Sequence, residues 1–235
     1  MVDFPQQCGI FSRPPATGRV DRALPRTASR KPEGTVCAFI LCMNKLSRWC
    51  RTWGATDDEL GRAMHGDRFV ALPSYETTLG ATINTAPSAI WPWRVQMGYR
   101  RGGLYSYDWL DRLFGYLDAP SAERMLPKFQ LLAVDDEIPI GCGGGFRVKA
   151  IEPFRSLVLG GHREDVEWSW ELAVVPVGID RTRLISRNRV WTPSRIGSWL
   201  MMLLIEPAAF LMTRKMLLGI KRRAEAMVHA ERKTA

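Results

Sequence analysis

With 235 residues, 46% hydrophobic and 24% charged, the chain is long enough for one domain with a real core, and its ordinary composition excludes a fibrous or wholly disordered protein. The net charge of +9 sits at the ends: residues 1–53 carry nine Lys/Arg against three acids, residues 214–235 seven against two, and the middle is near neutral. No nucleic-acid motif accompanies the basic ends, so no specific nucleic-acid partner is expected. Five cysteines without a CxxC pair and three scattered histidines give no metal framework, imply no metal or cofactor, and fit reduced thiols in a cytoplasmic protein.

Residues 1–42 are rich in Pro, Arg, Ser, Thr and Gly and lack a periodic apolar pattern. Such a segment cannot bury enough surface to offset its ordering entropy, so we expect a disordered, dispensable basic extension. The apolar stretch Cys37 to Met43 is too short to cross a bilayer and too deep for a signal-peptide core. Residues 43–75 read as a helical lead-in: an amphipathic pattern from Lys45 to Ala63 breaks at Gly54. It restarts at Thr56, an N-cap followed by Asp57, Asp58 and Glu59.

The main domain spans 76–235. Its first strand, Glu76 to Thr85, is β-branched and follows Pro73. Thr85 as a cap and Pro87 at the first turn open a short helix carrying Ile90, Trp91, Trp93 and Val95, which Pro92 should kink or shorten and Gly98 end. A second short helix, Ser106 to Phe114, has Ser106 as its cap and Asp108 in its first turn. Strand-like runs follow at Gln130–Val134, Glu137–Ile140, Phe146–Ile151, Ser156–Leu159, Val166–Val177 and Arg181–Thr192, separated by turn signals such as Asp135/Asp136 and Gly160/Gly161. Hairpin spacing of this kind means an antiparallel sheet.

Pro193 to about Lys233 reads as one long helix. Its first part, from Ile196 to Ile205, is apolar on every side and needs burial all round; its second alternates Leu211, Leu217, Leu218 and Ile220 with basic residues, leaving one wet face. Pro207 should kink it, and Glu206 beside the kink is either a functional carboxylate or, more cheaply, one turned toward water. The class is α+β: a curved antiparallel sheet of about six to seven strands wrapped around a long C-terminal helix, with two short helices after the first strand.

The segment INTAPSAIWPW, Ile83 to Trp93, resembles the strand–Ala-Pro–helix opening of the SRPBCC superfamily, the START-like and polyketide cyclase-like helix-grip proteins. RTWGATDDEL (Arg51 to Leu60), WPWRVQMG (Trp91 to Gly98), YSYDWLDRL (Tyr105 to Leu113), RTRLISR (Arg181 to Arg187) and EPAAFLMTRKMLLGIKRRAE (Glu206 to Glu225) are similar to an uncharacterised bacterial group within it. The resemblance implies an apolar cavity between sheet and long helix. Candidate ligand contacts are Trp93, Tyr105, Tyr107, Trp168, Trp170, Met201, Met202 and Glu206, which otherwise fill a closed core.

Asp108 could accept a proton at a cavity mouth, though a carboxylate favoured by a helix N-terminus is the cheaper explanation. Arg187 and Arg189 lie two apart on a strand and so share a face with Ile185 and Trp191; they could hold an acidic ligand head or snorkel on a solvated face. The run GCGGG lacks the Lys-Ser/Thr of a phosphate loop. The expected function is binding of an apolar small molecule or lipid. One alternative is a polyketide cyclase/aromatase-like enzyme with only Asp108, Glu171, Glu206 and the tyrosines for proton transfer. A second is a membrane-associated protein, since the run Ile196 to Met212 carries one charge and precedes basic residues suited to peripheral contact with an anionic bilayer.

Overall fold

A computed structural model describes residues 44–141, 143–163, 165–193 and 205–234. The expected extension at 1–42, the all-round apolar half of the last helix, Met201 and Met202 lie outside the described residues. Helix α1 covers 44–52, helix α2 Asp57–Gly61, and strand β1 Tyr75–Ile83. Helices α3, Pro87–Val95, and α4, Asp108–Leu113, follow. Five further strands come next: β2 Glu137–Pro139, β3 Gly145–Glu152, β4 Ser156–Arg163, β5 Val166–Gly178 and β6 Arg181–Trp191. Helix α5, Glu206–Thr234, ends the fold.

The six strands form one antiparallel sheet in the order β1-β6-β5-β4-β3-β2. The meander from β2 to β6 runs by neighbours, and only β1 joins from the far edge by pairing with β6. This order, with a long C-terminal helix on one face, is the α+β helix-grip arrangement that the resemblance implies. The run Gln130 to Val134 is not a strand: Pro127–Phe129 makes a 3-10 turn, 130–134 is irregular, and Leu131 is fully in solvent. Strand-like composition without a neighbouring strand to pair with gives no ladder, and the three-residue β2 already closes that edge.

Register fixes the two faces. Leu79, Ala81 and Ile83 of β1, Leu184 of β6, Leu172 and Val174 of β5 and Leu157 and Leu159 of β4 point inward into one core. Helix α5 lays Phe210, Met216, Leu217, Ile220 and Ala224 against that core, the one-sided pattern expected of its amphipathic half. Pro207 is the second residue of the described helix; the expected kink concerns upstream residues outside the described set.

The opposite face is covered by the lead-in. Thr56 caps α2 in a full capping box with Glu59. Glu59 is buried, and its two oxygens receive Nε and Nη2 of Arg183, each at 2.7 Å. Arg187, also buried, donates to Asp67, to the Thr78 hydroxyl and to the carbonyls of Glu59, Leu60 and Arg62.

Two caps differ from expectation. Ala86, not Thr85, is the N-cap of α3, because the Thr85 carbonyl is held by the Thr182 hydroxyl at 2.6 Å. Tyr107, not Ser106, precedes α4, and the Ser106 hydroxyl donates instead to Asp111.

Helix α5 meets the loop before α4 at Gly219. A Cβ there would sit 2.2 Å from the Tyr105 carbonyl oxygen, and Tyr105 itself holds a left-handed φ of 57°. In an open helix Gly to Ala gains about 1 kcal/mol; here Gly219→Ala is expected to cost about 1–3 kcal/mol through overpacking, read as a lower melting temperature by circular dichroism.

Burial alone would raise the Glu59 carboxyl, but the Arg183 guanidinium and the Thr56 amide outweigh it and hold it below the usual range. A carboxyl held low in the fold contributes stability above the ordinary carboxylate range and loses it as pH falls through the depressed value. Urea midpoints should therefore fall on acidification. In Glu59→Gln the neutral-pH midpoint should already be lower, by about 3 kcal/mol of stability, and its acid slope shallower.

Candidate functional site

The inner face is not uniformly packed. Moving along β5 from Val174 toward Trp168, the side chains pass from a closed aliphatic layer to an aromatic one. Leu157, Leu159 and Leu172 are inaccessible, whereas Phe146 meets Trp168 edge-on at 4.7 Å and Trp170 at 6.0 Å, and Trp168 remains 38% exposed. The indole N–H of Trp168 donates to Asn188 and that of Trp170 to Ser186, each two residues diagonally along β6 from the directly opposite position. Both tryptophans thus share the inner face and keep fixed orientations; Trp170 is buried in the core, and the Trp168 ring is open to contact with an apolar molecule.

Tyr75 enters the same row through Val190, which pairs with both Tyr75 and Trp168. Its ring lies under the Arg51 guanidinium at 4.8 Å, and Arg51 Nε donates to Glu206 at 3.1 Å. The Tyr75 hydroxyl is buried close to the Glu206 carboxylate without completing a well-formed hydrogen bond. Burial, then the Glu206 carboxylate, pushes its acidity well above the ordinary phenol value. Cys50, a free buried thiol, is raised by the same two causes.

Glu206 is therefore not turned to water: it is 4% exposed. The expectation missed the pairing that permits burial, supplied by Arg51 from 155 residues upstream.

The other sequence-selected residues are distributed differently. Trp93 is buried, edge-on to Tyr105 at 6.0 Å, with its indole N–H lacking a partner. Tyr105 is buried with its hydroxyl held by Gln96 and its ring under Arg223. Tyr107 is half-buried beneath Lys215. Asp108 accepts from the amide and hydroxyl of Ser121, which ties α4 to the following loop.

Arg187 and Arg189 lie on the outer face, neither solvated nor free. Arg187 is consumed as described above, and Arg189 pairs with Asp67 and Glu76. The structure thus brings Trp168, Trp170 and, through Tyr75, Glu206 to one part of the inner face, and puts the two arginines behind the sheet.

Sequence reasoning overlooked Arg94. It lies on the inward side of α3 with Ile90 and Trp93, and with Met97 just past the helix end, a spacing of three and four that could have flagged a cation in an apolar stripe. Arg94 is wholly buried, stacks on Trp91 at 4.6 Å and donates Nη1 to the Leu172 carbonyl at 2.5 Å; Nε and Nη2 have no partner. Burial pushes its guanidinium down to about 9, with Glu171 opposing, so it stays charged at neutral pH.

An open groove of about 310 Å³ also runs between α3 and the C-terminal part of α5, lined by Thr85, Pro92, Met125 and Met227 among others, but none of the selected residues borders it. Among the described residues no group of ligands suits a metal ion, and no helix is long and apolar enough to cross a membrane.

The topology and this one-sided aromatic face define a helix-grip protein. No protein-family model matches the sequence, and no curated protein matches it. Similar solved structures include a Mesorhizobium loti protein, at 16% identity and TM-score 0.38, covering 63% of this chain and 98% of that one. A Helicobacter pylori protein is 10% identical with TM-score 0.43, over 69% and 95% of the two chains. A point mutant of Thalictrum norcoclaurine synthase, in complex with a transition-state analogue, is 12% identical with TM-score 0.36, over 63% and 96%.

Removing the Glu206 carboxylate leaves Arg51 without a counter-charge. Since the Arg51 side chain is 24% exposed, water recovers part of the loss, and Glu206→Ala is expected to cost about 2 kcal/mol. Chemical denaturation checks this; Glu206→Gln, which keeps an acceptor, should lose less.

Proposed function

We propose that the protein binds an apolar small molecule of lipid or polyketide type between the inner face of its sheet and the C-terminal helix. The observation that carries this reading is Trp168: on the face that elsewhere forms the sealed core, it stands more than a third exposed in an edge-to-face aromatic array. Apolar walls with a few fixed polar groups are what a small-molecule site requires. Asn188, Ser186 and the unpartnered Tyr75 hydroxyl supply such groups here.

A cyclase-like activity is the second reading, and it rests on Glu206 and Tyr75. A buried carboxylate beside an unengaged hydroxyl is a place where a proton could be moved on a folded substrate. Recovery of a chemically altered compound, lost in Glu206→Gln, would favour it over simple binding.

The test of binding is native mass spectrometry of the detergent-free full chain, followed by denaturation and organic extraction. The expected result is an extra mass released on unfolding and recovered in the organic phase. A single ligand-free mass, with no uptake of the neutral probe N-phenyl-1-naphthylamine, overturns the proposal.

A further inference from the structure

Four arginines with little or no exposure invite comparison. Arg183 has Glu59, Arg187 has Asp67 and Arg223 has Glu123 as carboxylate partners. Arg94 is the most deeply buried of them and has none among the described residues.

The carboxylate that acts on it electrostatically, Glu171, is already consumed: its oxygens accept from the Ser156 hydroxyl and the Gly66 amide, each at 2.6 Å. Removing a guanidinium from water is costly unless a counter-charge with good geometry replaces the lost hydration.

The free atoms say what that counter-charge is. Arg94 spends Nη1 on the Leu172 carbonyl and leaves Nε and Nη2 open. Those two nitrogens form one edge of the guanidinium, the edge that takes both oxygens of a carboxylate side-on. The same protein displays the completed form, since Arg183 holds Glu59 through its own Nε and Nη2. One residue earlier on α3, the Trp93 indole N–H is also buried without an acceptor.

We propose that Arg94 is the seat for a carboxylate carried by the bound apolar molecule, gripped through Nε and Nη2. This rests on the apolar-ligand reading above and adds the ligand's chemical class: an amphiphilic acid, bound head-in. Leu172 and the exposed Trp168 are four residues apart on β5, about 13 Å along the strand. An acid of medium chain length, seated at Arg94, reaches from the closed layer to the aromatic one.

Binding to the delipidated full chain tests this, using decanoate, 1-decanol and the neutral N-phenyl-1-naphthylamine as probes. Wild type is expected to bind decanoate at least about tenfold more tightly than decanol. In Arg94→Met the two should fall within about twofold of each other while the neutral probe binds as before. Arg94→Met places an apolar side chain where an unpaired charge stood, so it should melt no lower than wild type without ligand. Arg94→Lys keeps the charge but not the fork; it should lose most of the preference and serves if the methionine variant folds poorly.

If the neutral probe binds but wild type shows no preference for decanoate, or the preference survives in both variants, the carboxylate seat is overturned and the apolar-ligand reading stands. If none of the three probes binds, both proposals fall together.

Discussion

The fold depends on how strand β6 disposes of its arginines. Alternation along the strand sends Arg183, Arg187 and Arg189 to the face opposite the core, where a thin sheet would leave them half in water beside Ile185. The lead-in resolves this by bringing carboxylates and free carbonyls to the sheet. The capping box that starts α2 also aims Glu59 at Arg183, and Asp67 bridges Arg187 and Arg189. Pairs of this depth add little over a well-packed apolar layer, but losing either partner leaves a buried charge. The stretch Thr56 to Asp67 is therefore an integral second layer, and the sheet is covered on both faces in different chemical styles, ionic outside and aromatic within.

That two-sidedness explains what was legible in the sequence. Strands β1 and β3 to β6, helix α3 and the amphipathic part of α5 announce themselves through local periodicity and turn residues, and the structure has them within a few residues of the expected bounds. The capping box of α2 is equally local. Ser106 and Thr85 were misread because their side chains or carbonyls are claimed by Asp111 and Thr182, contacts that composition does not encode.

The same limit applies to the site. Trp168 and Trp170 could be put on one face by counting along a strand. The state of Glu206 depends on Arg51 and that of Arg187 on Asp67, 155 and 120 residues apart in sequence. Arg94 is the exception: its local spacing was informative, but the bulk of Trp91 and Trp93 around it suggested only core.

The contrast between the two faces bears on why the inner one is unfinished. Behind the sheet, the hydroxyls of Ser156 and Ser169 are used by Glu171 and Gly66, and Arg189 and Asp67, though not fully hydrogen-bonded, are ion-paired. In front of it, the Tyr75 hydroxyl, the Trp93 indole and one edge of Arg94 are all buried and unpaired. Each unsatisfied group costs about 1–3 kcal/mol, a large share of the roughly 5–15 kcal/mol by which a domain is stable.

Leaving three inward-facing donors open on the face that also exposes Trp168 is consistent with a surface completed by something other than this polypeptide. The donors are spread over β1 and α3 rather than gathered at one point, which suits an elongated molecule touching several elements better than a compact ion. An interior of that kind gains its selectivity from polar groups that are costly while empty: a ligand lacking the matching acceptor recovers the apolar contacts but leaves the donors unpaired.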